Sequence, residues 1–182
     1  MDTMMKEVQN YFNLLLTLSI KYTWWVGESF SDTPHPFYLN EMPTDEYLKE
    51  NGTNCAGFIN LLRHFTGRSV PGEGEWRGGT GGWYDYLSEQ DVLEKFDVER
   101  DYPIGTLFLR QYRDIEDQGH VAVYYSPDTD SKTVLNGTII HSYSDEEGGR
   151  IGLTPMRMSH YWDSEEGYYE YAVLPENWLF TK

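Results

Sequence analysis

Helical spacing governs the chain before Gly105 and strand-like runs follow it, and this change of texture constrains the fold more than any other feature. Apolar residues at positions 5, 8, 12, 15, 16 and 20 predict a first helix over residues 3–20. A short second helix is predicted from Thr44 to Glu50, with Thr44 able to cap it. Phe58, Leu61, Leu62 and Phe65 predict a third. Its cap is Asn54 or Thr53, and Gly67 is a natural stop. A further helix is expected over 83–97. Beyond Gly105 the expected strands are Thr106–Gln111, Val121–Tyr125, Arg150–Leu153 and Tyr168–Leu174. A hairpin is also expected, with Val134-Leu135 and Thr138–His141 joined by Asn136-Gly137. Helices first and strands last imply an α+β fold, with helices packed on an antiparallel sheet. The length suits a single domain over 1–182.

Charge excludes some functions. The chain carries 14 basic and 30 acidic residues, a net charge of −16. Such a surface repels phosphate backbones, so no nucleic-acid partner is expected, and anionic membranes are disfavoured. No stretch approaches the roughly 20 apolar residues of a membrane span. The apolar cluster Tyr11–Leu16 follows acidic residues rather than a basic segment, so it reads as an amphipathic helix and not a signal peptide. A cytoplasmic, virion- or phage-associated, or delivered protein is the expectation. One cysteine excludes an internal disulfide and a multi-cysteine zinc site, and no metal or organic cofactor is expected. The 15 Tyr and 6 Trp suit either an aromatic groove for an extended ligand or a tyrosine-rich core.

That cysteine, Cys55, opens the third predicted helix. A thiol in a first helical turn faces unpaired amides and the positive end of the helix dipole. This field favours thiolate, and the same amides can receive an oxyanion. Cys55 is therefore a candidate nucleophile, although a cysteine also serves as a small core residue. Among the five histidines, His120 opens the apolar strand that follows Gly119 and His141 closes the strand Thr138–His141. Neighbouring antiparallel strands would bring them together, His120 as base and His141 as the group that orients it. His64 sits nine positions after Cys55 on one helix, about 13 Å along its axis, out of reach. His35 and His160 fall in loop-like segments and read as surface residues. The run Gly72–Gly82 lacks the spacing of a phosphate cradle and reads as a flap or substrate-lining loop.

Four segments in order resemble the NlpC-type, papain-like cysteine peptidases that cut peptide stems of bacterial cell walls. They are Tyr22-Thr23-Trp24, Asn54-Cys55-Ala56-Gly57-Phe58, Gly105-Thr106-Leu107-Phe108 and Gly119-His120-Val121-Ala122-Val123-Tyr124. Ile139-Ile140-His141-Ser142 is similar to the strand bearing that family's third polar residue. The resemblance covers roughly residues 20 to 175. It implies a papain-like domain whose nucleophile helix packs on a C-terminal antiparallel sheet. It also implies hydrolysis of a peptide or amide bond, with peptidoglycan stems as the substrate class, through Cys55, His120 and His141. Tyr22, Trp24 and Asn54 would then serve the substrate or the oxyanion. The chain departs from the pattern in having Asn54 where the family has Asp, and Trp25-Val26-Gly27 in place of Gly-Gly after Trp24. Cys55 and His120 are 65 residues apart, which implies inserted loops at about 28–50, 72–90 and 126–133. Two rivals share these residues: a papain-like thiol acyltransferase, and an inert binding module with an aromatic groove.

Overall fold

The computed structural model describes residues 2–23, 41–72, 77–114, 116–127, 133–145, 148–162 and 165–181. Within them the chain is mixed α and β, with helices mostly in the first half and one six-stranded sheet in the second.

Helix α1, Asp2–Thr17, buries Val8, Tyr11, Phe12 and Leu15, one stripe at helical spacing. It ends where Ser19 takes a positive φ of 54°. Helix α2, Asp45–Asn51, is capped by the Thr44 hydroxyl, which accepts the Tyr47 N–H. Helix α3, Cys55–Phe65, starts at Asn54 and leaves through Gly67 at φ 71°. Almost all of α3 is buried, including Arg63, whose guanidinium donates to the carbonyls of Ser69, Trp178 and Thr181. That cation thereby ties the chain's end to the middle of the core. Helix α4 spans Thr80–Glu89.

The strands are β1 (Glu94–Lys95), β2 (Leu107–Arg110), β3 (His120–Ser126), β4 (Thr138–Tyr143), β5 (Arg150–Pro155) and β6 (Tyr171–Val173). They run in the order β1-β6-β2-β3-β4-β5, every neighbour antiparallel. Side chains alternate between two cores, as a two-residue period requires. Leu107, Leu109, Val121, Val123, Ile140 and Val173 join the main core with α1, α3 and α4. Phe108, Ala122, Tyr124, Ile139 and Ala172 form a second core. Helix α5 (Met156–His160) adds Met156 to that second core, and helix α6 (Pro175–Trp178) adds Trp178 to the first. Residues 20–22 run along the outer side of β5: Lys21 bridges Arg150, and Ile151 N–H donates to Ile20 O.

Several expectations need correction. Val134-Leu135 is not a strand of a hairpin; Val134–Asn136 is a 3-10 turn, and β4 pairs with β3. Gly137 has an ordinary φ of −86°, so Asn136-Gly137 is no hairpin turn; the glycine is there because a Cβ would strike the Tyr124 ring. The helix expected over 83–97 stops at Glu89, because Asp91 takes φ 55° and Val92 N–H closes back on Leu87 O, a left-handed helix end built without glycine. His160 is no surface residue: it is buried in α5, and its Nδ1 accepts the Tyr169 N–H. His35, Trp24 and Trp25-Val26-Gly27 lie outside the described residues.

Candidate active site

The approach to Cys55 is held from both sides. Thr53 pairs with the 21–23 segment: its N–H donates to Lys21 O, and its carbonyl accepts the Thr23 N–H. The Ser142 hydroxyl of β4 donates to the same carbonyl at 2.8 Å. Gly52 sits at φ 76° against Thr23 and Lys21, where a Cβ has no room. Asn54 then caps α3, its Oδ1 accepting the Gly57 N–H at 2.8 Å. Asn54 is thus the helix cap, its side-chain oxygen bonded to the Gly57 amide.

Cys55 is half-buried. Its sulfur lies 4.0 Å from Thr80 Oγ1, and the backbone N–H groups of Val121 and Ala56 lie close enough to favour a negative charge on it. Val121 is the residue after His120, so the start of α3 meets the start of β3. The field at a helix start predicts that these amides prevail and favour thiolate. They do not: burial pushes the thiol pKa up, and the Val121, Thr80, Ala56 and Cys55 hydrogen bonds offset only part of it. Tyr22 is placed beside the thiol; burial, and then the Cys55 charge, push its hydroxyl up to about 12, so it stays a neutral donor.

His120 Nε2 lies 2.7 Å from His141 Nδ1, and His141 Nε2 lies 2.9 Å from Thr154 Oγ1 on β5. The register explains the meeting. Val123 faces Ile140, so one step on, Ala122 lies beside His141 with His120 two residues further on the same face. His141 also stacks on Tyr143 at 4.9 Å. Burial lowers the pKa of His120 to about 4 and pushes that of His141 well down, with the His120 charge adding to the second. The sulfur's side-chain contact is Thr80 rather than an imidazole nitrogen. At rest the thiol is therefore neutral, and so is the imidazole pair.

Gly119 is required at the entry to β3: at φ 69° it packs on the Arg110 carbonyl, where a Cβ would clash. Beside it Arg110 and Arg113 grip Asp117, and the two guanidinium groups hold that carboxyl down at about 2. The Arg110 guanidinium also lies over the Tyr168 ring, whose centroid is 6.1 Å from that of His120.

Thr80, Ser142 and Thr154 escape sequence reasoning. Thr80 stands in the glycine-rich run that reads as substrate-lining; the other two carry no local signal. Among the described residues no three His, Cys, Asp or Glu side chains gather to hold a metal ion. No helix among them is long and apolar enough to cross a membrane.

A pH dependence follows from His120. An unfolded histidine takes its proton near pH 6.5, whereas the folded one waits until about 4. Above 6.5 both states are neutral and nothing is lost; as pH falls from 6.5 towards 4 the unfolded chain is favoured. Between pH 7.5 and 5 the group should cost about 2 kcal/mol. The check is urea unfolding of wild type and His120→Gln at both pH values, where the difference between them should shrink by that amount in acid. An unchanged difference would mean that His120 is not held neutral.

No protein-family model, curated protein or solved structure matches this chain.

Proposed function

We propose that this chain is a papain-like thiol hydrolase that cleaves an amide bond, with a peptidoglycan-type stem peptide as substrate class. The observation that carries the reading is the His120–His141 pair, hydrogen-bonded at 2.7 Å at the start of β3, the strand whose next residue, Val121, lies against the Cys55 sulfur at the start of α3. The substrate class rests on the ordered sequence resemblance alone.

One polarity of the hydrogen-bond chain suits a base. His120 Nε2–H donates to His141 Nδ1, and His141 Nε2–H donates to Thr154 Oγ1. That leaves His120 Nδ1 with a lone pair. Because thiol and imidazole are both neutral at rest, the proton passes from Sγ to His120 as sulfur attacks the carbonyl carbon. The S–C bond forms and the carbonyl electron pair moves onto oxygen. The Cys55 and Ala56 amides, which have no partner within α3, receive that oxyanion together with the Tyr22 hydroxyl. Collapse expels the amine, which takes the proton from His120. Water, deprotonated by the same imidazole, then attacks the thioester carbonyl; the S–C bond breaks, His120 returns its proton to the sulfur, and the acyl group leaves as a carboxylic acid that ionises in water.

The test is incubation of the protein with purified stem peptides and isopeptide-linked dimers in H₂¹⁸O, followed by mass spectrometry. Hydrolysis puts one ¹⁸O into the new carboxylate and frees a new amine. Transfer of the acyl group to an added amine without ¹⁸O would replace the hydrolase with an acyltransferase. Binding without turnover would leave the aromatic binding module.

A further inference from the structure

We infer that Thr80 is a further catalytic residue, whose hydroxyl donates a hydrogen bond to the Cys55 sulfur as the thiol loses its proton. The inference rests on the thiol-hydrolase reading and adds a group to it.

Thr80 opens α4 and is only 9% exposed. Its Oγ1 lies 4.0 Å from Cys55 Sγ, within the reach that a large sulfur atom allows. The hydroxyl is not used to cap α4, because the cap position is Gly79, which has no side chain to bond with. The placement of Thr80 is enforced from α3. Asn60, fully buried, donates from Nδ2 to Gly78 O at 2.9 Å and accepts the Trp83 Nε1–H at 2.8 Å. One side chain thus holds α4 on both sides of Thr80. Gly78 permits the approach: it has φ 71°, and a Cβ there would run into Asn60 and Val70.

The chemistry needs such a donor. Once His120 takes the proton, the sulfur is negative in a half-buried place, and an unpaired charge there is costly. The Cys55 and Ala56 amides must turn to the oxyanion as the carbonyl is attacked. The Val121 amide and the Thr80 hydroxyl remain for the sulfur. No proton leaves Thr80; it orients its own hydrogen toward sulfur and releases it when the S–C bond has consumed the lone pair.

The experiment measures thiol ionisation without any substrate, so it fails separately from the hydrolase reading. Thr80→Val keeps the shape and removes the donor; Thr80→Ser keeps the donor. The rate of Cys55 alkylation by iodoacetamide, in which thiolate displaces iodide, is followed against pH, with near-UV circular dichroism to report folding. Thr80→Val should label about tenfold more slowly below the thiol pKa, its profile displaced upward by about one pH unit. Thr80→Ser should stay within about threefold of wild type. A Thr80→Val profile that superposes on wild type, or labels faster through a loosened α4, overturns the inference; so does a Thr80→Ser variant that behaves like Thr80→Val.

Discussion

Cys55→Ala should reduce stem-peptide turnover to background, a loss of about 10⁴-fold or more, with a melting temperature close to that of wild type. The two halves of that result have separate causes. Turnover vanishes because no other thiol exists in the chain. Stability holds because Cys55 is half-buried at a helix start and Asn54, not Cys55, caps α3. Cys55→Ser should lose nearly as much activity, since a buried hydroxyl holds its proton far more tightly than a thiol and the neutral His120 has little drive to take it. Steady-state assays with the ¹⁸O readout decide the matter. Activity in Cys55→Ala within tenfold of wild type would remove the nucleophile and the mechanism with it.

The second large effect is on stability. Asn60→Leu is expected to cost about 2 to 4 kcal/mol, because it strands the Trp83 indole N–H and the Gly78 carbonyl in a fully buried place. For a chain of this size that is a fall of roughly 5 to 15 °C in melting temperature. Leucine is close in size, so the loss is one of hydrogen bonding more than of volume. The same change should loosen Thr80 from the sulfur, so thiol reactivity should alter along with stability. Calorimetry and urea midpoints measure the first. A variant melting within 2 °C of wild type would show that the buried amide is not the clamp between α3 and α4.

How much of the fold and site is legible in the sequence depends on whether a signal is local. Helix α3 is readable because its cap, its apolar spacing and its glycine stop all lie within one short segment. His120 and His141 are readable as partners because the sequence puts one at the start of a strand and the other late in the next, and antiparallel register does the rest, although β4 runs two residues beyond His141. Asp91 hides the end of α4, since it fills the left-handed position with a residue that ends helices less often than glycine does. Asn136-Gly137 misleads for the opposite reason: its glycine answers to the Tyr124 ring and not to a turn. Thr80, Thr154 and Asn60 owe their roles to contacts across elements, which no window of sequence displays. The thiol's pKa defies a sequence reading because a helix start is visible there, but the depth of burial that outweighs it is not.

The 20–22 segment along β5 has a bearing on how the molecule behaves in company. An open sheet invites a neighbour's backbone to zip onto its rim. Here one rim is already taken by the chain's own residues, through the Lys21–Arg150 bridge and the Ile151 to Ile20 bond. The opposite rim, β1, is two residues long and bears Glu94 and Lys95. Among the described residues, crowded copies of this protein would find little exposed strand on which to build an aggregate.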